Sequence, residues 1–115
     1  MRRGEVWTVS GGDRYSGKPR PALLVQDDDF GETTSITICA FTTDPTHAPL
    51  FRIPIEPNEE NGLEMPSRLM VDKITTVPKT KLGFRIGRIS DDELVRLNQA
   101  MLVFLGLAHA SRPPR

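Results

Sequence analysis

The sequence predicts one mainly β domain, a compact barrel of short strands with a single carboxy-terminal helix. Three observations carry that prediction. Six short runs of β-type composition, punctuated by turn residues, fill the first three quarters of the chain: Glu5–Val9, Ala22–Gln26, Ser35–Thr42, Phe51–Ile55, Arg68–Val77 and Phe84–Ile89. Beyond them the apolar period becomes helical, with Leu94, Leu97, Met101 and Phe104/Leu105 on one face. At 115 residues and 37% hydrophobic content, the chain can close one core and has no room for a second domain. We place that domain at residues 1–107 and read residues 108–115, which are small, polar and proline-rich, as a flexible tail.

After the first strand, Ser10 to Pro21 carries three glycines and two prolines, a composition that forbids regular structure and makes an unusually long loop. Its end, Lys18-Pro19-Arg20-Pro21, is stiffer: each proline fixes its own φ and restricts the residue before it, so Arg20 is held at a defined point before the next strand. Ala22-Leu23-Leu24-Val25 is apolar on both faces, as a central strand is, whereas Ser35–Thr42 mixes small polar and apolar residues and could line a cleft. The helix starts at Ser90 and stops at Gly106. Ser90 and Glu93 form a capping box, Asp91 and Asp92 complement the helix dipole, and Gly106 can adopt the left-handed conformation that ends a helix.

Composition narrows the function. The lone Cys39 rules out a disulfide framework and has no neighbour at zinc-ligand spacing, which fits a reducing compartment. Arg2 and Arg3 are followed by no apolar leader segment, and no stretch approaches the roughly 18 apolar residues of a membrane span. We therefore expect a cytoplasmic protein with no membrane partner. Fifteen basic residues balance fifteen acidic ones. Nucleic-acid binding, if present, must be local. Positive residues gather at Arg14, Lys18 and Arg20 and again at Lys73, Lys79 and Lys81; they either line a cationic cleft or are solvated loop charges.

Several chemistries are absent. His47, in a Pro-Thr-His-Ala-Pro loop, and His109, in the tail, do not suit paired-histidine acid/base catalysis and read as exposed loop residues. No phosphate-binding glycine loop, Gly-x-Ser-x-Gly elbow or His-Glu-x-x-His is present. Asp27, Asp28 and Asp29 could hold magnesium, but consecutive strand residues point to opposite faces and such triplets more often form a solvated turn. We expect no metal and no cofactor. What remains is Arg20 at the start of one strand and the hydroxyls of Thr42 and Thr43 at the end of the next. A guanidinium suits a phosphodiester and the extra charge of its transition state, although an Arg and a Thr at strand ends are most often structural.

Three segments in order resemble the MazF/PemK toxins. Arg2-Arg3-Gly4-Glu5-Val6-Trp7 is similar to their first strand, and Gly17-Lys18-Pro19-Arg20-Pro21-Ala22-Leu23-Leu24-Val25-Gln26-Asp27 to their Gly-x-x-Arg-Pro-hydrophobic strand. The third runs from Val71-Asp72-Lys73-Ile74-Thr75-Thr76-Val77 through Leu82 and Arg85 to Leu94, ending Leu105-Gly106-Leu107. The resemblance implies an SH3-like β-barrel of the CcdB/MazF/PemK type, a homodimer, and a metal-independent endoribonuclease that cuts single-stranded RNA and is silenced by a cognate antitoxin. It implies attack by the RNA 2′-hydroxyl, leaving a 2′,3′-cyclic phosphate and a 5′-hydroxyl. Catalytic roles fall on Arg20, Thr42 and Asp72, the last as an acidic position that could instead pair with Lys73 or Arg68. Lys18, Thr43, Lys73 and Tyr15, which could stack a base or pack on its own loop, are expected to contact RNA. Thr75 stands where many relatives have arginine, and Lys73 where they have glutamine, so base recognition differs. CcdB-like toxins use the same barrel to poison DNA gyrase, but their aromatic carboxy terminus is missing from Ser111-Arg112-Pro113-Pro114-Arg115. A degenerate toxin that only binds its antitoxin is disfavoured by the presence of both Arg20 and Thr42.

Overall fold

The computed structural model describes residues 1–10 and 18–108. Six strands appear in chain order: β1 (Glu5–Val9), β2 (Arg20–Leu24), β3 (Ser35–Thr42), β4 (Arg52–Ile55), β5 (Ser67–Pro78) and β6 (Leu82–Arg88), followed by the helix α1 (Asp91–Phe104). All neighbours pair antiparallel, in the order β4-β5-β3-β2-β1-β6. Each run expected from the sequence lies within two residues of its strand, and β3 has the expected bounds.

The expected barrel is not formed. The sheet is open, with β4 and β6 as edges that share no ladder. The segment between β4 and β5 fills the gap instead: the Arg88 N–H donates to the Glu60 carbonyl at 2.9 Å. That segment needs glycine at both contacts. Gly62 has φ +70°, and a Cβ there would overlap the Ile86 carbonyl oxygen; a Cβ on Gly87 would overlap that of Glu60. Asn61, fully buried, fastens the segment. Its Oδ1 accepts from the N–H groups of Asn58 (3.1 Å) and Leu63 (3.0 Å), and its Nδ2 donates to the Glu56 carbonyl (2.8 Å).

Strand alternation splits the core in two. Val6, Leu23, Val25, Cys39, Phe41, Leu69 and Val71 pack on one face with Leu97 of the helix, while Ala22, Leu24, Ile36 and Ile38 form a smaller cluster with Trp7 and Val77. β2 is thus buried on both faces, as its unbroken apolar run requires. The helix is fixed by both halves of the Ser90/Glu93 capping box, at 2.9 and 3.1 Å. At its other end Gly106 turns left-handed at φ +74° while the Leu107 N–H returns to the Leu102 carbonyl. Leu97 is fully buried, and Leu94 and Met101 pack against the core. Phe104 departs from the expected buried face: it stays 48% exposed, its ring beside that of Phe51 just before β4, centroid to centroid 6.2 Å.

Candidate active site

Where β2 begins and β3 ends, the sheet leaves a cleft of about 250 Å³ whose lining includes Lys18, Arg20, Phe41, Thr42, Thr43 and Ser67. Register explains the company. Val9 of β1 pairs with Arg20; Ala22 pairs with Ala40 at the end of the β2–β3 ladder, and Arg20 and Thr42 each lie two residues beyond that pair, on its face; Thr42 pairs with Arg68 of β5. Cross-strand partners project from the same face, so Arg20, Thr42 and Arg68 form a row across three strands.

The turn after β3 orients that row. The Asp44 N–H donates to Thr42 Oγ1 at 3.1 Å, and Arg68 Nη1 donates to the Asp44 carbonyl at 3.2 Å. A hydroxyl that accepts this N–H keeps its own proton to donate. The Asp44 carboxylate faces elsewhere, accepting from the Thr46 hydroxyl (2.7 Å) and N–H (2.9 Å). Those two bonds, helped by the charges of Arg52 and Arg68, hold its carboxyl below the usual range.

Asp72 lies apart from the cleft lining. Between the Cys39–Ile74 and Phe41–Leu69 pairs, Ala40 of β3 faces four residues of β5, numbers 70–73, a wide bulge that re-aims them. Asp72 there meets Arg52 in a bidentate pair (2.9 and 3.0 Å), with Lys73 Nζ at 4.0 Å. The Arg52 hydrogen bonds hold the Asp72 carboxyl below the usual carboxylate range. Lys73 is exposed on the same bulge. Lys18 and Thr43 sit in the cleft, and Tyr15 lies outside the described residues.

The acidic triplet is part of a turn. Asp27 caps it through the Asp29 N–H (2.8 Å), and Asp28 accepts from the Arg3 N–H (2.7 Å). Among the described residues no group of three or more His, Cys, Asp or Glu side chains is arranged to hold a metal. His47 is exposed.

A second hollow of about 390 Å³ adjoins the cleft, sharing Lys18, Thr43 and Ser67. Its far wall is apolar: Leu63, Met65, Phe84 and Ile86. Phe84 is 66% exposed, so a flat aromatic face stands beside a cationic notch.

Sequence reasoning did not select Arg52, Ser67 or Phe84, and it read Arg68 only as a possible partner for Asp72. Their places depend on the β5 bulge and the loop from β4 to β5, and neither has a local signature. Phe84 alone carried a signal, an aromatic in a strand run between Gly83, which has no side chain, and the charged Arg85.

Comparison with known proteins decides the family. The pattern that describes PemK-like, MazF-like toxins of type II toxin-antitoxin systems matches residues 2–105. The chain belongs to this family. Among curated relatives, this toxin is 51% identical over 108 residues to a probable endoribonuclease MazF of Mycolicibacterium smegmatis, covering 94% of the chain and 99% of the relative. Among solved structures, it superposes on a mycobacterial endoribonuclease in complex with its cognate antitoxin with a TM-score of 0.79 at 23% identity, over 95% of this chain and 98% of that one. The toxin MazF-mt6 of Mycobacterium tuberculosis gives a TM-score of 0.77 at 23% identity, over 91% and 99% of the two chains. At that identity the two structures speak for the fold. No helix of the described residues is long and apolar enough to cross a membrane.

Proposed function

We propose that this toxin is a sequence-specific endoribonuclease that cuts single-stranded RNA without a metal. The observation that carries the reading is the row of Arg20 and Thr42 at the cleft, with the Thr42 hydroxyl oriented by the Asp44 N–H. The high identity to the probable endoribonuclease supports it.

In the reaction the RNA 2′-hydroxyl gives its proton to water as its oxygen bonds to phosphorus, and the 5′-oxygen takes a proton from water as its bond to phosphorus breaks, which leaves a 2′,3′-cyclic phosphate and a 5′-hydroxyl. The phosphoryl oxygens gain charge on the way. Arg20 supplies a planar set of donors to that charge and to the leaving oxygen, and Thr42 donates a hydrogen bond to the same phosphate. The resemblance places Asp72 among the catalytic residues, where a carboxylate could take the 2′-hydroxyl proton. Both its oxygens are engaged by Arg52 and its proton affinity is lowered, so we assign Asp72 to fixing Arg52, whose charge also acts on Asp44.

The cleft holds the phosphate with Lys18 and Thr43 as flanking contacts, and the hollow beside it accepts a nucleobase against Phe84. Tyr15 and Lys73 complete the RNA contacts. A cognate antitoxin silences the toxin by laying an acidic, partly disordered segment over the cleft of a homodimer. We take residues 1–107 as the folded unit and the cytoplasm as its setting; the tail expected at residues 108–115 lies, from residue 109 on, outside the described residues.

The test is incubation of the purified toxin with a long, weakly structured RNA in excess EDTA, with the new ends mapped and their chemistry identified. Discrete cuts bearing 5′-hydroxyl and 2′,3′-cyclic phosphate ends are expected. Cuts that need magnesium overturn the metal-free chemistry, and RNA left intact with and without magnesium returns the reading to a gyrase-binding toxin.

A further inference from the structure

We infer that Arg68 is a second phosphate-binding residue, which grips the backbone phosphate next to the one that is cut; this rests on the RNA-cleaving reading above. Three observations meet at this side chain. It stands directly opposite Thr42 in the β3–β5 ladder, on the same face and on the side of Thr42 away from Arg20. Two strand spacings, roughly 10 Å, therefore separate the backbones that carry the two guanidinium groups, with the Thr42 hydroxyl between them. An RNA strand that crosses β2, β3 and β5 can present successive phosphates to Arg20 and Arg68.

The second observation concerns charge. Arg52, Arg85 and Arg88 each hold a carboxylate within 3.3 Å. Arg68 spends one N–H on a neutral backbone carbonyl, that of Asp44, and forms no ion pair among the described residues. The nearby Asp44 carboxylate is turned onto Thr46. Half-buried, hydrogen-bonded to a neutral carbonyl and in only a through-space interaction with the Asp44 carboxylate, Arg68 keeps most of its donor fork for a ligand.

The third is the link to Thr42. The peptide groups of Asp44 bond the Thr42 hydroxyl with the N–H and the Arg68 guanidinium with the carbonyl. One turn residue thus fixes the two side chains relative to each other, as two adjacent contacts on a single strand require.

Binding to a single-stranded RNA oligonucleotide spanning a mapped cut site tests this, with the attacking 2′-hydroxyl replaced by hydrogen so that no cleavage occurs. Dissociation constants are measured by fluorescence anisotropy across a salt series for the wild type, Arg68→Ala and Arg68→Lys. Each single-strand phosphate contact contributes about 0.7 to the slope of log K against log salt. Arg68→Ala is expected to flatten the slope by about 0.7, and Arg68→Lys to restore most of it. Replacing the adjacent phosphate with an uncharged methylphosphonate should weaken wild-type binding to the same extent and Arg68→Ala no further. If wild-type toxin cuts the unmodified RNA yet Arg68→Ala binds with unchanged affinity and slope, the inference is overturned alone. Additive losses from the variant and from every neighbouring methylphosphonate overturn it as well. If the wild type leaves unmodified RNA uncut, the reading beneath fails and the inference falls with it. A thermal melt of each variant separates a folding defect from a binding one, and the charge-retaining lysine variant answers the question should the alanine variant not fold.

Discussion

Replacing Asn61 with alanine should be the most damaging single polar substitution in the chain, because it unfastens the segment that fills the gap between the sheet edges. The change orphans three groups at once: the N–H of Leu63, which is buried, and the partly buried N–H of Asn58 and carbonyl of Glu56. A buried polar group left without a partner costs roughly 1–3 kcal/mol. Water can reach two of the three, so we count one full penalty and two partial ones, about 3 kcal/mol in total. That is a large fraction of the 5–15 kcal/mol that holds a typical domain together. With a urea slope near 2 kcal/mol/M, the unfolding midpoint should fall by roughly 1.5 M with the slope unchanged. The same segment supplies Leu63 and Met65 to the apolar hollow, so RNA binding should weaken alongside stability. A loss below about 1 kcal/mol would overturn this prediction, because water or a rearranged loop would then satisfy all three groups.

Four further outcomes follow from the same geometry. Leu97→Ala removes the one fully buried side chain of the helix and should cost roughly 2–5 kcal/mol in urea unfolding, whereas Ser90→Ala, which breaks the capping box, should cost about 1 kcal/mol. Cys39 is fully buried and its thiol is pushed up to about 12, chiefly by desolvation, so a disulfide reagent at pH 8 should modify it only at the rate of unfolding. Because the Asp72 carboxyl is held below its ordinary value in the folded state, its contribution to stability is present above the unfolded pKa of roughly 4 and is lost as pH falls through the folded value. The stability gap between wild type and Asp72→Asn should therefore be constant from pH 8 to pH 5 and shrink towards pH 3, as followed by urea unfolding. If Asp72 fixes Arg52 and does not take the proton, Asp72→Asn and Arg52→Gln should slow cleavage alike and leave the shape of the pH–rate profile intact; a lost acidic limb in Asp72→Asn alone contradicts that assignment.

Much of the fold was legible in the chain because it is written locally. Alternation and turn residues located the strands, the double-sided apolar run placed β2 in the middle of the sheet, and Ser90, Glu93 and Gly106 marked the helix ends. Closure was not legible. Whether β4 and β6 meet is set by sheet coiling and by how Asn61, Gly62 and Gly87 pack a loop between them, a contact between segments about 25 residues apart. The site divides in the same way. Arg20 and Thr42 could be found because prolines and strand ends fix them in sequence. Arg68 opposite Thr42, and Asp72 against Arg52, could not, because both depend on the four residues of β5 that face Ala40 alone. Counting by twos along an unbroken strand sets the register wrong on one side of such a bulge.

On the proposed mechanism, Arg20 and Thr42 act on the phosphate in the cleft. The most direct measurement is the single-turnover rate at which saturating toxin cuts an end-labelled RNA at its mapped site, compared among wild type, Arg20→Ala and Thr42→Ala. Loss of one oriented transition-state donor costs on the order of 10²–10³ in rate. A fall of that order is expected for each variant, with folding stability near wild type. Cleavage within a few fold of wild type in both variants would contradict it and place the chemistry elsewhere on the sheet.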